Sequence, residues 1–599
     1  MKRRTQLFLH FEIQNMTNRS FPVVIFLFLC LHFFIPARGA YPATSGIGTN
    51  IDRYLSAMES LGFSGAIIVS EGDEIVLRKG YGLADRETRR PYTPATIQTH
   101  GSITKQMTAA AILLLESRGK ISIHDTISKY FDKVPEDKKD ITIHQLLTHS
   151  SGLPGGIGPD DEPIDAQDYI DRAMVSPLLF RPGTDYGYSN TGYALLGILV
   201  EQVSGQSYES FLHEELLLPA GLTETGYVLP DWDQDRFAVG YRNGKRWGVV
   251  YDRGWKEDGP GWHLRANGGL HTTVDDMYLW MKNTLTGEGV LNAEMVRRWT
   301  TGYITESNGI SKYAYGWTIY DSQWGQVIAH SGSNRIFSAD FVWLPELEIF
   351  FYIQGNTSMI PAGNERKRLL AAALDADFSK PPLVVPDTTA SPQDAEGRTG
   401  TYSMDGGTFE LTADDTRLIA RLSGQSALDL MLNHTEEQME QFAELNHRTK
   451  DAMDKLEAGH KDALANILGE DENPIEPTLI LLDRISQIGN LQSLNLIGSF
   501  ENAPGSSLAG FGPRTTFVHA EFSNWNQYWN IVWNNDGTYR GTYSGPWPAF
   551  ILIPTAENRY KGVRQGAPWN MAAIHFEDKC LVVEKNQTLP THCIRRVCK

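Results

Sequence analysis

Strand-like segments stand at both ends of a region from about Tyr41 to Lys380, and a long helical stretch separates them. At the front, a helix around Ile51–Leu61 precedes two strands, Gly65–Ser70 and Glu74–Gly80, which turn at Glu71-Gly72-Asp73. At the back, strands near Gln326–Ala329, Phe337–Trp343 and Glu348–Gln354 lead into a helix at Glu365–Leu374. Gly turns and amphipathic helices fill the interval. This spacing predicts one mixed sheet built from both ends, with a helical domain formed by the middle.

The remaining chain divides further. Its 599 residues allow about two to four domains. Pro381-Pro382 and Pro386–Pro392 place a linker over 381–399. A β-rich module follows over 400–432, with strands at Thr408–Leu411 and Leu418–Leu422. A helix-plus-sheet module over 435–547 opens with a helix from about Glu436 to Leu468, where Thr435 and Gln438 form a capping box. Met439, Phe442, Leu445, Met453, Leu456, Leu464 and Ile467 give that helix one apolar face. Strands Thr515–Phe522, Trp525–Trp533 and Thr538–Tyr543 follow, with a hairpin at Asn534-Asn535-Asp536-Gly537. The β segment at 548–599 is expected to continue the 400–432 module, which makes the unit between them an insertion.

The N-terminus reads as an export signal over residues 1–39. Lys2, Arg3, Arg4 and Arg19 precede an apolar run from Phe21 to Ile35, broken by Pro22 and His32. Small residues at Ala37, Gly39 and Ala40 suit cleavage, so the expected location is secreted or periplasmic. Membrane association is expected only if the segment stays uncleaved. The net charge of −18 argues against a nucleic-acid partner, and a small molecule or peptide is the expected substrate. Beyond the signal, Cys580, Cys593 and Cys598 allow one disulfide, whose pairing the sequence leaves open. Neither Cys-x-x-Cys nor His-Glu-x-x-His occurs, so no metal site is expected.

Chemistry concentrates at Ser102-Ile103-Thr104-Lys105. An apolar run of helical length follows, through Met107, Ala110, Ala111, Leu113, Leu114 and Leu115. Positions i and i+3 share a helix face, so the Ser102 hydroxyl and the Lys105 amine can meet. A buried lysine can be neutral and act as a base. Tyr188-Ser189-Asn190 sits on a loop before a second helix pattern. Tyr188 beside a lysine cation is expected to hold a lowered pKa and pass a proton. Asn190 can accept from Lys105 and donate to a substrate carbonyl. His330-Ser331-Gly332-Ser333 ends a strand, where Gly332 is expected to let substrate approach the backbone. The Ser102 and Ser333 amides are candidate oxyanion donors.

Together these segments resemble the serine β-lactamase and penicillin-binding family, in its class C and D-aminopeptidase-like branch. The resemblance rests on Gly101-Ser-Ile-Thr-Lys, Leu146-Leu-Thr-His-Ser-Ser-Gly-Leu-Pro154, Phe180-x-Pro-Gly with Tyr-Ser-Asn-x-Gly-Tyr, Gly268-Gly269-Leu270 with Asp275-Asp276, and His330-Ser-Gly, in that order. It spans roughly Ile51 to Leu374. It implies an α/β (α+β) fold with an antiparallel sheet flanked by helices plus a helical domain, and the site in the cleft between them. It also implies Ser102 as the acylated nucleophile, Lys105 and Tyr188 as general base and acid, and Asn190 as the residue that orients a substrate amide. Leu146–Pro154 resembles a family structural turn, so His149 is not expected to be catalytic. His330 stands where β-lactamases commonly carry lysine, and Arg335 is the candidate replacement for that charge. The usual Gly-Phe after this motif is Ile336-Phe337 here, which alters the pocket's shape.

The implied activity is a serine hydrolase acting through an acyl-enzyme and needing no cofactor. D-amino-acid peptides, small esters and β-lactams are the candidate substrates, in falling order. The alternatives are a penicillin-binding-like receptor or scaffold with little turnover, and a class C-like β-lactamase.

Overall fold

The computed structural model describes residues 46–599 apart from 243–244, 254, 335, 359, 376–386, 388, 459–489, 503–511, 524–525, 546–548, 565–571, 578–579, 585–591 and 598–599. The signal-like stretch lies outside the described residues. Among the described residues, no helix is long and apolar enough to cross a membrane.

Helix α1 (Ile47–Ser60) leads into strands β1 (Gly65–Glu71) and β2 (Glu74–Tyr81), with Gly72 at φ +57° in the tight turn between them. The chain then builds the helical layer, including α2 (Thr104–Ser117) and α3 (Asn190–Ser204). It returns through β3 (Ile304–Thr305), β4 (Lys312–Tyr313), β5 (Thr318–Ser322), β6 (Gly325–Ser333), β7 (Ser338–Leu344) and β8 (Ile349–Gly355), and closes with α4 (Arg366–Leu374). The eight strands form one sheet in the order β2-β1-β8-β7-β6-β5-β4-β3, and every pairing is antiparallel. The front and back of the region therefore meet at the β1–β8 pair, as the spacing predicted. The short β3 and β4 and the five-residue β5 carry little apolar alternation and escaped the sequence reading.

Period-two alternation explains why this sheet is covered on both faces. On β8, Phe350 and Tyr352 point into the core shared with the helical layer, while Ile349, Phe351 and Ile353 point toward α1 and α4. β1 alternates likewise, with Ala66 and Ile68 on one side and Ile67 and Val69 on the other. β8 is buried at all seven positions because neither face meets water.

Beyond α4, a closed barrel takes its strands from Gly400–Ser423 and Ala549–Arg596. Between them in sequence lie a capped helix, Glu436–Glu457, and a four-stranded sheet running from Leu491 to Gly545. The Thr435–Gln438 capping box is formed. Phe442, Leu445 and Met453 bury the apolar face of this helix, while Leu464 and Ile467 lie outside the described residues. Within the stretch read as a linker, Pro392–Gly397 forms a short helix capped by Ser391 and Asp394. Cys580 is disulfide-bonded. The barrel packs on the domain of the eight-stranded sheet, for Ile419, Ile551 and Ile553 join the core beneath α1 and α4. Asp414 binds both Arg86 of that domain and Arg417 of the barrel, the latter at 3.0 Å.

Candidate active site

Ser102 sits in a tight turn, Gly101–Ile103, that feeds directly into α2. Gly101 has φ +57°, and a Cβ there would fall 2.7 Å from the Ser333 nitrogen, so only glycine lets the nucleophile's turn lie against the end of β6. A Cβ on Gly332 would fall 1.9 Å from the His100 carbonyl oxygen and 2.9 Å from the Ser102 nitrogen. Gly332 lines the cleft beside Ser102, and its missing Cβ also admits the backbone that carries Ser102, which brings the Ser102 and Ser333 main chains together.

Lys105, one helical turn on, is fully buried. Its Nζ stands 3.2 Å from Ser102 Oγ, 2.7 Å from Asn190 Oδ1 and 2.6 Å from the Asn267 carbonyl oxygen. None of these partners is a carboxylate. Burial therefore dominates, and it holds the amine well below its usual range, against a weaker pull from Asp160. A neutral amine has two hydrogens and one lone pair. The hydrogens are engaged by Asn190 Oδ1 and Asn267 O, which leaves the lone pair to accept from the Ser102 hydroxyl.

Tyr188 and Asn190 reach this point because Ser189 caps α3. The Ser189 hydroxyl accepts from the Gly192 amide at 3.0 Å and donates to the Pro154 carbonyl at 2.8 Å. Tyr188 is 36% exposed as a wall of the cleft that it shares with Ser102. Burial pushes this phenol upward, not downward. The lowered pKa expected from a neighbouring lysine cation does not arise, because the phenol's own burial dominates. Tyr188 is thus a phenol, able to donate a proton.

His330 lies on β6, buried. Its Nδ1–H donates to the Ser331 carbonyl at 2.7 Å, and its Nε2 accepts from the Tyr313 hydroxyl at 3.0 Å. Burial pushes its pKa down to about 3. The ring is neutral and both its nitrogens are engaged, so it offers neither charge nor donor to a substrate carboxylate. Ser333 lines the cleft on both sides of Ser102. Arg335 lies outside the described residues.

Two cavities flank Ser102. One, of about 270 Å³, is bounded by Asn190, Asp160, Trp247, Trp255 and Asn267. The other, of about 470 Å³, is bounded by Tyr188, Glu306, Tyr313, His330 and Arg366. The structure thus brings together Ser102, Lys105, Tyr188, Asn190, His330, Gly332 and Ser333. Sequence reasoning missed Asn267, Tyr313 and Glu306. Asn267 adjoins the Gly268-Gly269 pair and acts through its carbonyl, which any residue could supply.

A serine with a buried lysine one helical turn on, in a cleft between an antiparallel sheet and a helical layer, is an arrangement that a class of serine hydrolases shares. The profile of the Beta-lactamase family matches residues 54–375, just over half of the sequence, and the chain belongs to that family. Penicillin-binding protein 4* of Bacillus subtilis (strain 168) is 24% identical over 412 residues, which are 61% of this chain and 86% of that protein. Protein flp of Staphylococcus aureus is 27% identical over 294 residues, 47% of this chain and 57% of that protein. Among solved structures, a penicillin binding protein from Bacillus halodurans aligns with 26% identity and a TM-score of 0.44, over 53% of this chain and 98% of that one.

Proposed function

We propose that this protein is an exported serine hydrolase that cleaves amide or ester bonds through an acyl-enzyme on Ser102. The observation that carries this reading is the Lys105 amine, buried without a carboxylate partner and 3.2 Å from the Ser102 hydroxyl. Neutral Lys105 takes the Ser102 proton as Oγ attacks the substrate carbonyl. The oxyanion faces the Ser102 and Ser333 amides. The Tyr188 phenol donates a proton to the leaving nitrogen or oxygen, and the proton that Lys105 took from Ser102 passes to the phenolate, which restores both groups. The carbonyl–leaving-group bond breaks, leaving the ester on Ser102. Water or an amine then attacks that ester, losing its proton to the same base. Asn190 holds the amine on one side and orients the substrate amide on the other.

The neutral, fully engaged His330 supports D-amino-acid peptides or small esters over β-lactams, whose carboxylate finds no partner at that position. The export-signal pattern at residues 1–39 supports an extracytoplasmic location.

A fluorophosphonate probe tests the nucleophile. Labelling is expected in the wild type and absent from Ser102→Ala, and equal labelling of both sinks the reading. It also separates an enzyme from a non-acylating receptor. A panel of D-alanyl p-nitroanilide, p-nitrophenyl butyrate and nitrocefin tests the substrate ranking, which rapid nitrocefin turnover would overturn.

A further inference from the structure

His149 belongs to the Leu146–Pro154 segment, which the mechanism above does not use. It is fully buried, and it holds φ +59°, a left-handed backbone uncommon outside glycine, though histidine is among the side chains that tolerate it best. Such strain persists only where surrounding contacts over-determine it. Here the contacts all converge on one place. The His149 carbonyl accepts from the Gly187 amide at 2.8 Å, and its Nδ1 accepts from the Ser189 amide at 3.0 Å. These two amides flank Tyr188. The imidazole also packs on the Tyr188 ring, with centroids 4.2 Å apart, and on the Tyr313 ring at 4.4 Å. One residue therefore grips Tyr188 through the backbone on both sides and through the face of its ring.

The rest of the segment reinforces the grip. The Asn190 amide donates to the Gly155 carbonyl at 3.0 Å, and the Ser189 hydroxyl donates to Pro154 O at 2.8 Å. Hydrogen bonding fixes the histidine's tautomer: Nδ1 accepts, so the proton sits on Nε2. That Nε2 is buried and has no hydrogen-bond partner among the described residues. A leucine or phenylalanine of similar size would fill the space without a stranded donor. The donor is tolerated because Nδ1 supplies an acceptor that an apolar side chain lacks.

We infer that His149 is a positioning residue, which fixes Tyr188 beside Ser102 by clamping the Gly187-Tyr188-Ser189 turn. This rests on the reading of Tyr188 as the proton carrier. Protonation of Nδ1 would set an N–H against the Ser189 amide, so the clamp holds only while the ring is neutral. Burial keeps it so, well below the usual histidine range.

The test is a double-mutant cycle of His149→Phe and Tyr188→Phe, read as kcat and KM for p-nitrophenyl butyrate, with melting temperature as a check on folding. His149→Phe keeps a ring against Tyr188 and removes the acceptor. It is expected to lower kcat about tenfold to a hundredfold, the scale of a slightly misplaced reacting group, with KM within about twofold. In the Tyr188→Phe background the same change is expected to cost about nothing. Full additivity, or wild-type kcat in His149→Phe, overturns the inference. If Tyr188→Phe alone retains wild-type kcat, it is the reading of Tyr188 that fails. His149→Asn suits the left-handed backbone and removes the ring, so it serves if the phenylalanine variant does not fold, with the same loss of additivity expected.

Discussion

Two cationic side chains stand beside the same cleft, Lys105 fully buried and Arg366 partly so, and they are treated in opposite ways. Arg366, at the start of α4, meets the buried carboxylate of Asp340 on β7 in a two-pronged pair, with Nε 2.8 Å from Oδ2. Lys105, on α2, meets an amide oxygen, a backbone carbonyl and a hydroxyl. Arg366 stays charged and holds helix to sheet. Lys105 is given acceptors but no countercharge, and its proton becomes easy to lose. Both are largely withdrawn from water. The presence or absence of a carboxylate separates a structural cation from a chemical one.

The same substitution at each position sharpens this contrast. Lys105→Met removes the base, and acylation of Ser102 is expected to fall by about 10² to 10⁴. Its effect on stability runs the other way. The folded pKa of Lys105 lies below the unfolded value, so between the two the unfolded chain binds the extra proton. The stability linked to this group is full above the unfolded value of 10.5 and is lost as pH falls through the folded one. At neutral pH the wild type therefore carries a cost that methionine does not, and the variant's melting midpoint is expected to rise by about 1 °C or more. An unchanged labelling rate, or a drop in the midpoint, breaks the contrast.

Arg366→Met leaves Asp340 buried and unpaired, which is expected to cost about 3–5 kcal/mol of stability in denaturant unfolding. Below its melting temperature this variant should still label at Ser102. Loss of labelling with unchanged stability would show that Arg366 belongs to the chemistry. The smallest effect is expected from His330→Lys, which restores a donor at a position that is now neutral. It should raise the rate on carboxylate-bearing substrates relative to p-nitrophenyl butyrate by about tenfold, the worth of one charged hydrogen bond. An unchanged ratio would mean that this position does not read substrate charge.

Much of the site is legible in the sequence because side chains define it. Ser102 and Lys105 are joined by helical periodicity, and Tyr188 with Asn190 by a capped helix start. What the sequence hides is supplied by backbone or by packing. The Asn267 carbonyl has no residue signature. Gly332 announces a close approach but not which chain approaches. The direction of the Tyr188 shift depends on the phenol's own burial, which only the assembled fold reveals. The sheet follows the same rule. β1, β7 and β8 declare themselves by apolar runs, while β3 and β4 have two residues each, β4 pairing with β5 and β3 with β4 at the sheet's edge.

The central claim is that Lys105 is a neutral base at working pH. The pH dependence of fluorophosphonate labelling at Ser102 tests it most directly, read by intact mass. The account predicts a rate that rises as Lys105 loses its proton and levels off well below pH 10.5, with that rise absent in Lys105→Met. A rate that keeps climbing to about the ordinary lysine value of 10.4, or one whose rise survives in Lys105→Met, contradicts it.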